Sequence, residues 1–225
     1  DGEARDATQP DIGADEFTGT PPAPLTVNST GDGWDFSPGD GVCETAAGNH
    51  LCTLRAAVQE GNFSAGLDDI EFSIPTTDSG YSAVDGWWTI SLTSALPDVT
   101  DNGLQILGLT QTANRGDTNP GLVGTGGTVG VDAEPLPQYE RPEIAIDANG
   151  FDGFALAGSA TDILIEGLSI YDGDNGILAR GGAGTNRTVR YMFIGPLPDG
   201  SDPGADRNQA QGIRVDSPAS LTVTS

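Results

Sequence analysis

"GFALAGSATDILIEGLSIYDGDNGILARGGAG", residues 153–184, decides the fold, because a short pattern recurs in it: a Gly or polar residue, then apolar-x-apolar, then another turn. Alternation of this kind sets Phe154 and Leu156, Ile163 and Ile165, and Leu168 and Ile170 each on one face of a short strand. The same rhythm extends on both sides, to Ile144 and Ile146, Ile213 and Val215, and Leu221 and Val223. Strands this short, divided by Gly, Asn and Asp, suit a sandwich, a barrel or a stacked parallel architecture. The returning "G-apolar-x-apolar" starts at Gly153, Gly176 and Gly212 favour the stacked one, with a period of about 20–25 residues. Residues 196–211, "PLPDGSDPGADRNQAQ", read as an inserted loop, and residues 111–141, rich in Gly, Thr and Pro, as a second and longer one. Upstream, "DDIEFSIP", "WWTISLT" and "LQILGLT" read as the first strands of the series.

Composition points the same way. The 225 residues carry 33 Gly and 15 Pro but few aromatics, which suits a turn-rich all-β chain. The formal charge is -24, and all nine basic residues are Arg. Such a charge repels phosphate backbones and anionic lipid, so neither nucleic acid nor a membrane surface is an expected partner, whereas divalent cations are admissible. No apolar run approaches the roughly 18 residues of a membrane span, so no membrane insertion is expected. No basic and then apolar leader opens the sequence either, so any export signal is expected to have been removed or to lie outside it.

The reactive residues gather in "GDGWDFSPGDGVCETAAGNHLCTLRAAVQEGN", residues 31–62, which holds both cysteines and the sole histidine. A closed zinc site there would have to recruit His50 and a carboxylate beside Cys43 and Cys52, so a Cys43–Cys52 disulfide in an exported protein is the expectation. Asp32, Asp35, Asp40 and Glu44 lie on the flexible Gly-rich backbone that calcium accepts, although their spacing is not that of an EF-hand. They are the candidate metal ligands; calcium is an admissible cofactor and none is required. One helix is expected, with Thr53 as N-cap, Leu54, Ala57 and Val58 on its apolar face, and Gly61 at its end.

The run from Val27 through "GDGVCETAAGNHLCTLRAAVQEGN" to "DDIEFSIP" and "ISLTSALPDV" resembles the CSLREA-type domain that begins many exported right-handed parallel β-helix proteins of bacteria and archaea. Here the signature reads Cys52-Thr53-Leu54-Arg55-Ala56-Ala57, with Thr for Ser and Ala for Glu. The resemblance implies a capping helix and disulfide over residues 25–66, followed by right-handed parallel β-helix coils over residues 67–225. "QPDIGADEF", residues 9–17, is similar to a stretch that closes the β-helix in related surface proteins. Residues 1–24 therefore read as an extension, and end-to-end continuation or self-association as an expectation.

For function, the repeat pattern, the stapled cap-like segment and the lack of a recognisable catalytic set favour an exported structural or adhesive module, cell-surface or extracellular, that assembles end to end into filaments. The rival is a carbohydrate-active, lyase-like or glycan-binding β-helix whose long loops offer Trp87, Trp88 and Tyr139 to a surface glycan. No catalytic residue is assigned. A polygalacturonase-like set is disfavoured by the single His and the absence of Lys, and Asp172 and Asp174, which with Arg180 or Arg190 would serve a lyase, are simpler as turn formers.

Overall fold

The computed structural model describes residues 23–64, 66 and 68–224, so residues 9–17 and the rest of the extension up to residue 22 lie outside the described residues. The elements in chain order are β1 (Leu25–Val27), α1 (Leu54–Gly61), β2 (Asp68–Phe72), β3 (Trp88–Ser91), β4 (Leu104–Leu107) and α2 (Thr110–Arg115). Four two-residue strands follow: β5 (Leu122–Val123), β6 (Thr128–Val129), β7 (Glu134–Pro135) and β8 (Tyr139–Glu140). Then come β9 (Ile144–Asp147), β10 (Phe154–Leu156), β11 (Leu164–Glu166), β12 (Leu168–Tyr171) and β13 (Asn175–Ala179). The last are β14 (Thr188–Arg190), β15 (Phe193–Ile194), β16 (Gln211–Val215) and β17 (Thr222–Thr224).

Three parallel sheets carry the core, in the orders β1-β2-β4-β11-β14-β17, β3-β9-β12-β15 and β10-β13-β16. The chain visits them in rotation, as in β11 to β12 to β13, and returns to the first sheet one strand further on with β14. An isolated parallel bridge from Val99 to Leu156 marks the third face on the circuit before β10. Parallel strands need a crossover, and here the other two faces of the circuit supply it.

Register aligns like with like along the stack. Leu25, Ile70, Ile106, Ile165, Val189 and Val223 pair in succession on the first sheet. Ile90, Ile146, Ile170 and Ile194 do so on the second, and Phe154, Ile177 and Ile213 on the third. The members in the middle of each column are fully buried. Each such side chain contributes about 1.5–3 kcal/mol when withdrawn from water.

The bends between faces use the left-handed backbone region. Gly167 and Tyr191 take φ of 68° and 52° after β11 and β14, and Asn149 and Asp172 take 48° and 53° after β9 and β12. Asp162 and Asn186 take 57° and 52° before β11 and β14. Gly, Asn and Asp tolerate this region best, so their recurrence between apolar pairs is what folds the ribbon at each edge. Asp162 and Asn186, 24 residues apart, also stack, the amide donating to the carboxylate at 2.7 Å.

The two ends of the stack differ. α1 packs against β1 and β2 and buries Leu54, Ala57 and Val58 in the core. At the other end Val215 and Val223 remain exposed, and β17 is exposed throughout. None of the described helices is long and apolar enough to cross a membrane.

Candidate functional site

Residues 28–62 form a self-satisfied closure of the stack. Cys43 and Cys52 are joined in a disulfide, and Asn28 holds the second of them by accepting from its N–H at 3.0 Å while donating to the His50 carbonyl at 2.8 Å. Thr53 caps α1, its hydroxyl oxygen accepting from the Ala56 N–H at 3.1 Å and its proton going to the Gly33 carbonyl at 2.7 Å. Arg55 is fully buried: Nε and Nη2 donate to the two Asp32 oxygens at 2.8 Å, and the Ser94 and Ala95 carbonyls accept at 2.7 and 2.6 Å. The Trp34 ring covers it, 4.9 Å from its guanidinium carbon.

The four candidate calcium ligands do not converge. Asp32 faces Arg55 and also accepts from the Thr93 N–H and hydroxyl. Asp35 accepts from the Ser37 and Glu44 N–H groups, Asp40 from Val42, and Glu44 from Gly48. Asp35, Asp40 and Glu44 thus each fold their own loop, whereas Asp32 ties it to α1 and Thr93. Buried Glu60 on α1 clamps the Gly-rich loop by accepting from the Gly39 and Gly41 N–H groups at 2.6 and 2.5 Å. Among the described residues no group of three or more His, Cys, Asp or Glu is placed to hold a metal ion. His50 is exposed in the cystine loop.

The two tryptophans expected to meet a sugar are core residues. Trp88 is fully buried, with Nε1 donating to the Pro75 carbonyl at 3.1 Å and its ring against Tyr81, and Trp87 is 8% exposed. Neither offers a free face. The possible lyase arginines are taken as well, Arg180 by Asp98 at 2.7 Å and Arg190 by Glu166 at 2.6 Å.

The remaining candidate, Tyr139, lies in a groove built by the long insertion. Between β4 and β9 the chain leaves the stack, and α2 first stitches it to the backbone beyond β2. The buried Gln111 amide both accepts from and donates to the Ile74 backbone at 2.9 Å, and Asn114 donates to the Phe72 carbonyl at 3.0 Å. Two antiparallel ladders, β5 with β8 and β6 with β7, then form an arm where a plain loop is expected from the sequence. Strands of two residues leave no periodic signal, which is why they are illegible there.

Glu143 anchors the foot of that arm. Its Oε1 accepts from the Thr118 and Asn119 N–H groups at 3.1 and 3.2 Å, and its Oε2 lies 2.5 Å from the Thr118 hydroxyl. That hydroxyl is also 2.6 Å from the Gly86 carbonyl. One hydroxyl proton cannot serve two acceptors, so the Glu143 carboxyl and the Gly86 carbonyl compete for it. Burial pushes Glu143 above the ordinary carboxylate range and the Asp117 side chain adds to this, against the Thr118 and Asn119 donors. Gly86, at φ 88°, permits the approach, because a Cβ there would collide with the Thr118 backbone.

Between this arm and the stack lies a cavity of about 290 Å³ lined by Leu109, Tyr139, Arg141, Gly167, Tyr191 and Phe193, among others. A second, of about 500 Å³, shares Tyr139, Tyr191 and Phe193 and continues past Val123 and Ile194. Together they make one groove with aromatic walls, and Tyr191 is 47% exposed in it. Arg141 lines the first cavity and not the second. The sequence reading misses Arg141, Glu143, Tyr191 and Phe193, since only folding the insertion back brings 139–143 beside 191–193.

Compared with family models, with curated proteins and with solved structures, the chain matches none.

Proposed function

We propose that the chain is an exported right-handed parallel β-helix that serves as a structural or adhesive module at a cell surface or outside the cell. The observation that carries this reading is the rotation through three parallel sheets with aliphatic columns kept in register. A right-handed path is the hand that parallel crossovers adopt almost without exception. The disulfide supports an oxidising location, and saturation of the reactive residues at residues 28–62 supports a closing role for them rather than catalysis.

Cohesion in such a module comes from stacking. Val215 and Val223 on the last described strands supply an apolar edge to which a further coil adds. At the other described end, α1 and the cystine loop cover the stack, which works against head-to-tail growth. Cohesion between copies is therefore proposed to run through the Val215 and Val223 edge. Sedimentation equilibrium over a range of concentrations tests it: wild type pairs reversibly, and Val215→Lys with Val223→Lys stays monomeric. A wild-type chain that is monomeric throughout, or a doubly substituted one that still pairs, contradicts it.

A further inference from the structure

We propose that the groove between the arm and the stack binds a carboxylate-bearing saccharide, with Arg141 pairing to the carboxylate and Tyr139 and Tyr191 stacking on the sugar rings.

The argument begins with how this chain spends its cations. Of the described arginines, Arg55, Arg180, Arg190, Arg207 and Arg214 each pair with a carboxylate. Arg187 is buried and donates to the Ala157, Gly158 and Ala160 carbonyls, and Arg115 donates twice to the Ser73 carbonyl. Among the described residues Arg141 has neither kind of partner within hydrogen-bond or ion-pair distance, although it is near enough to Asp199 to help hold that carboxyl below its ordinary range. Its only hydrogen bond to the described residues is a long one, 3.5 Å from Nη1 to Asn119 Oδ1, and its Nε is buried without an acceptor. Among the described arginines it is the one that bonds neither a carboxylate nor a backbone carbonyl. A buried donor without an acceptor is costly, so the geometry is suited to an acceptor that arrives from outside.

The place of Arg141 gives the ligand its other features. Arg141 lines both the 290 Å³ cavity and a smaller one of about 140 Å³, and its guanidinium lies against Gly121 in the smaller one, which Asp117, Glu140 and Glu143 also line. In the 290 Å³ cavity, Tyr139, Tyr191 and Phe193 form a mainly apolar wall that continues along the stack into the 500 Å³ cavity. Aromatic faces with polar tips suit pyranose rings, which present C–H faces and hydroxyl edges. The groove is elongated and open, which suits a chain rather than a single sugar. Glu143, beside Arg141, is held by the Thr118 and Asn119 donors and does not occupy the guanidinium.

The test is calorimetric titration of the folded chain with a panel of uronic-acid trisaccharides, of galacturonate, glucuronate, mannuronate and guluronate, each against its methyl ester. The proposal expects at least one acid to bind, its ester to bind about tenfold more weakly or worse, and added salt to weaken the acid alone. Arg141→Gln is expected to weaken the acid by about tenfold or more and to leave the ester unchanged, whereas Tyr191→Ala weakens both. Arg214→Gln, away from the groove, leaves both unchanged. Thermal unfolding of each variant checks that it is folded, and Arg141→Lys, which keeps the charge, retains part of the preference if Arg141→Gln is not. No binding by any acid, equal binding of acid and ester, or an unaltered preference in both Arg141 variants overturns the proposal.

Discussion

At the scale of residues, the chain keeps several charged groups out of water, and their costs differ in sign. Arg55 is saturated by Asp32 and two carbonyls, so Arg55→Ala strands Asp32, 5% exposed at its side chain, without its counter-ion. A loss of about 3–5 kcal/mol in urea unfolding is expected, as for other broken buried pairs. Glu143 behaves oppositely. Burial raises its folded pKa above the ordinary 4.5, so the stability tied to its proton is complete below that value and is lost as pH rises through the raised one. Burial, foremost, raises Asp68 and Asp101 from 3.8 in the same sense, and each has a buried oxygen without a hydrogen-bond partner. Glu143→Gln, whose amide can donate to the Thr118 hydroxyl, is expected to hold or raise the melting temperature at pH 7 and to flatten its fall as pH rises above 4.5. A lower melting temperature at pH 7 with the slope unchanged would show that the carboxylate itself is needed.

At the scale of elements, what was legible in the sequence is what repeats. The alternation Ile163/Ile165 and Leu168/Ile170 marks strands because one face of each is buried, and the Asp and Asn between strands mark bends because they accept positive φ. Tyr191 fills the same bend position as Gly167 with no sequence signal, and the strands of the arm are too short to show a period. In the acidic stretch the loop's own N–H groups take up carboxylate oxygens, Asp35 accepting from Ser37, Asp40 from Val42 and Glu44 from Gly48, which the spacing of the acids does not announce. The elements of the closure make separate predictions. Thr53→Ala removes both the α1 cap and the bond to Gly33, costing about 1 kcal/mol or slightly more in urea unfolding. Reduction of Cys43–Cys52, which are 9 residues apart, is expected to cost about 2.5 kcal/mol by freeing a short loop in the unfolded chain.

At the scale of the whole molecule, stability rests on columns that run through the stack, so position along the column sets what a truncation costs. Ile165 is fully buried between Ile106 and Val189, and Ile165→Ala is expected to lose about 2–5 kcal/mol. Val223, 57% exposed on the last strand of the same column, is expected to lose only a small fraction of that. Equal losses at the two positions would mean that the column is not the cohesive unit. The stacking itself fixes a distance. Thr26, Glu71, Leu107, Glu166, Arg190 and Thr224 follow one another in register across the first sheet. Spin labels on Thr26→Cys and Thr224→Cys, measured by double electron–electron resonance, should report a narrow distribution near 24 Å, the sum of successive steps of about 4.8 Å. A broad distribution, or one centred beyond roughly 35 Å, would contradict the stack of parallel strands on which the whole account depends.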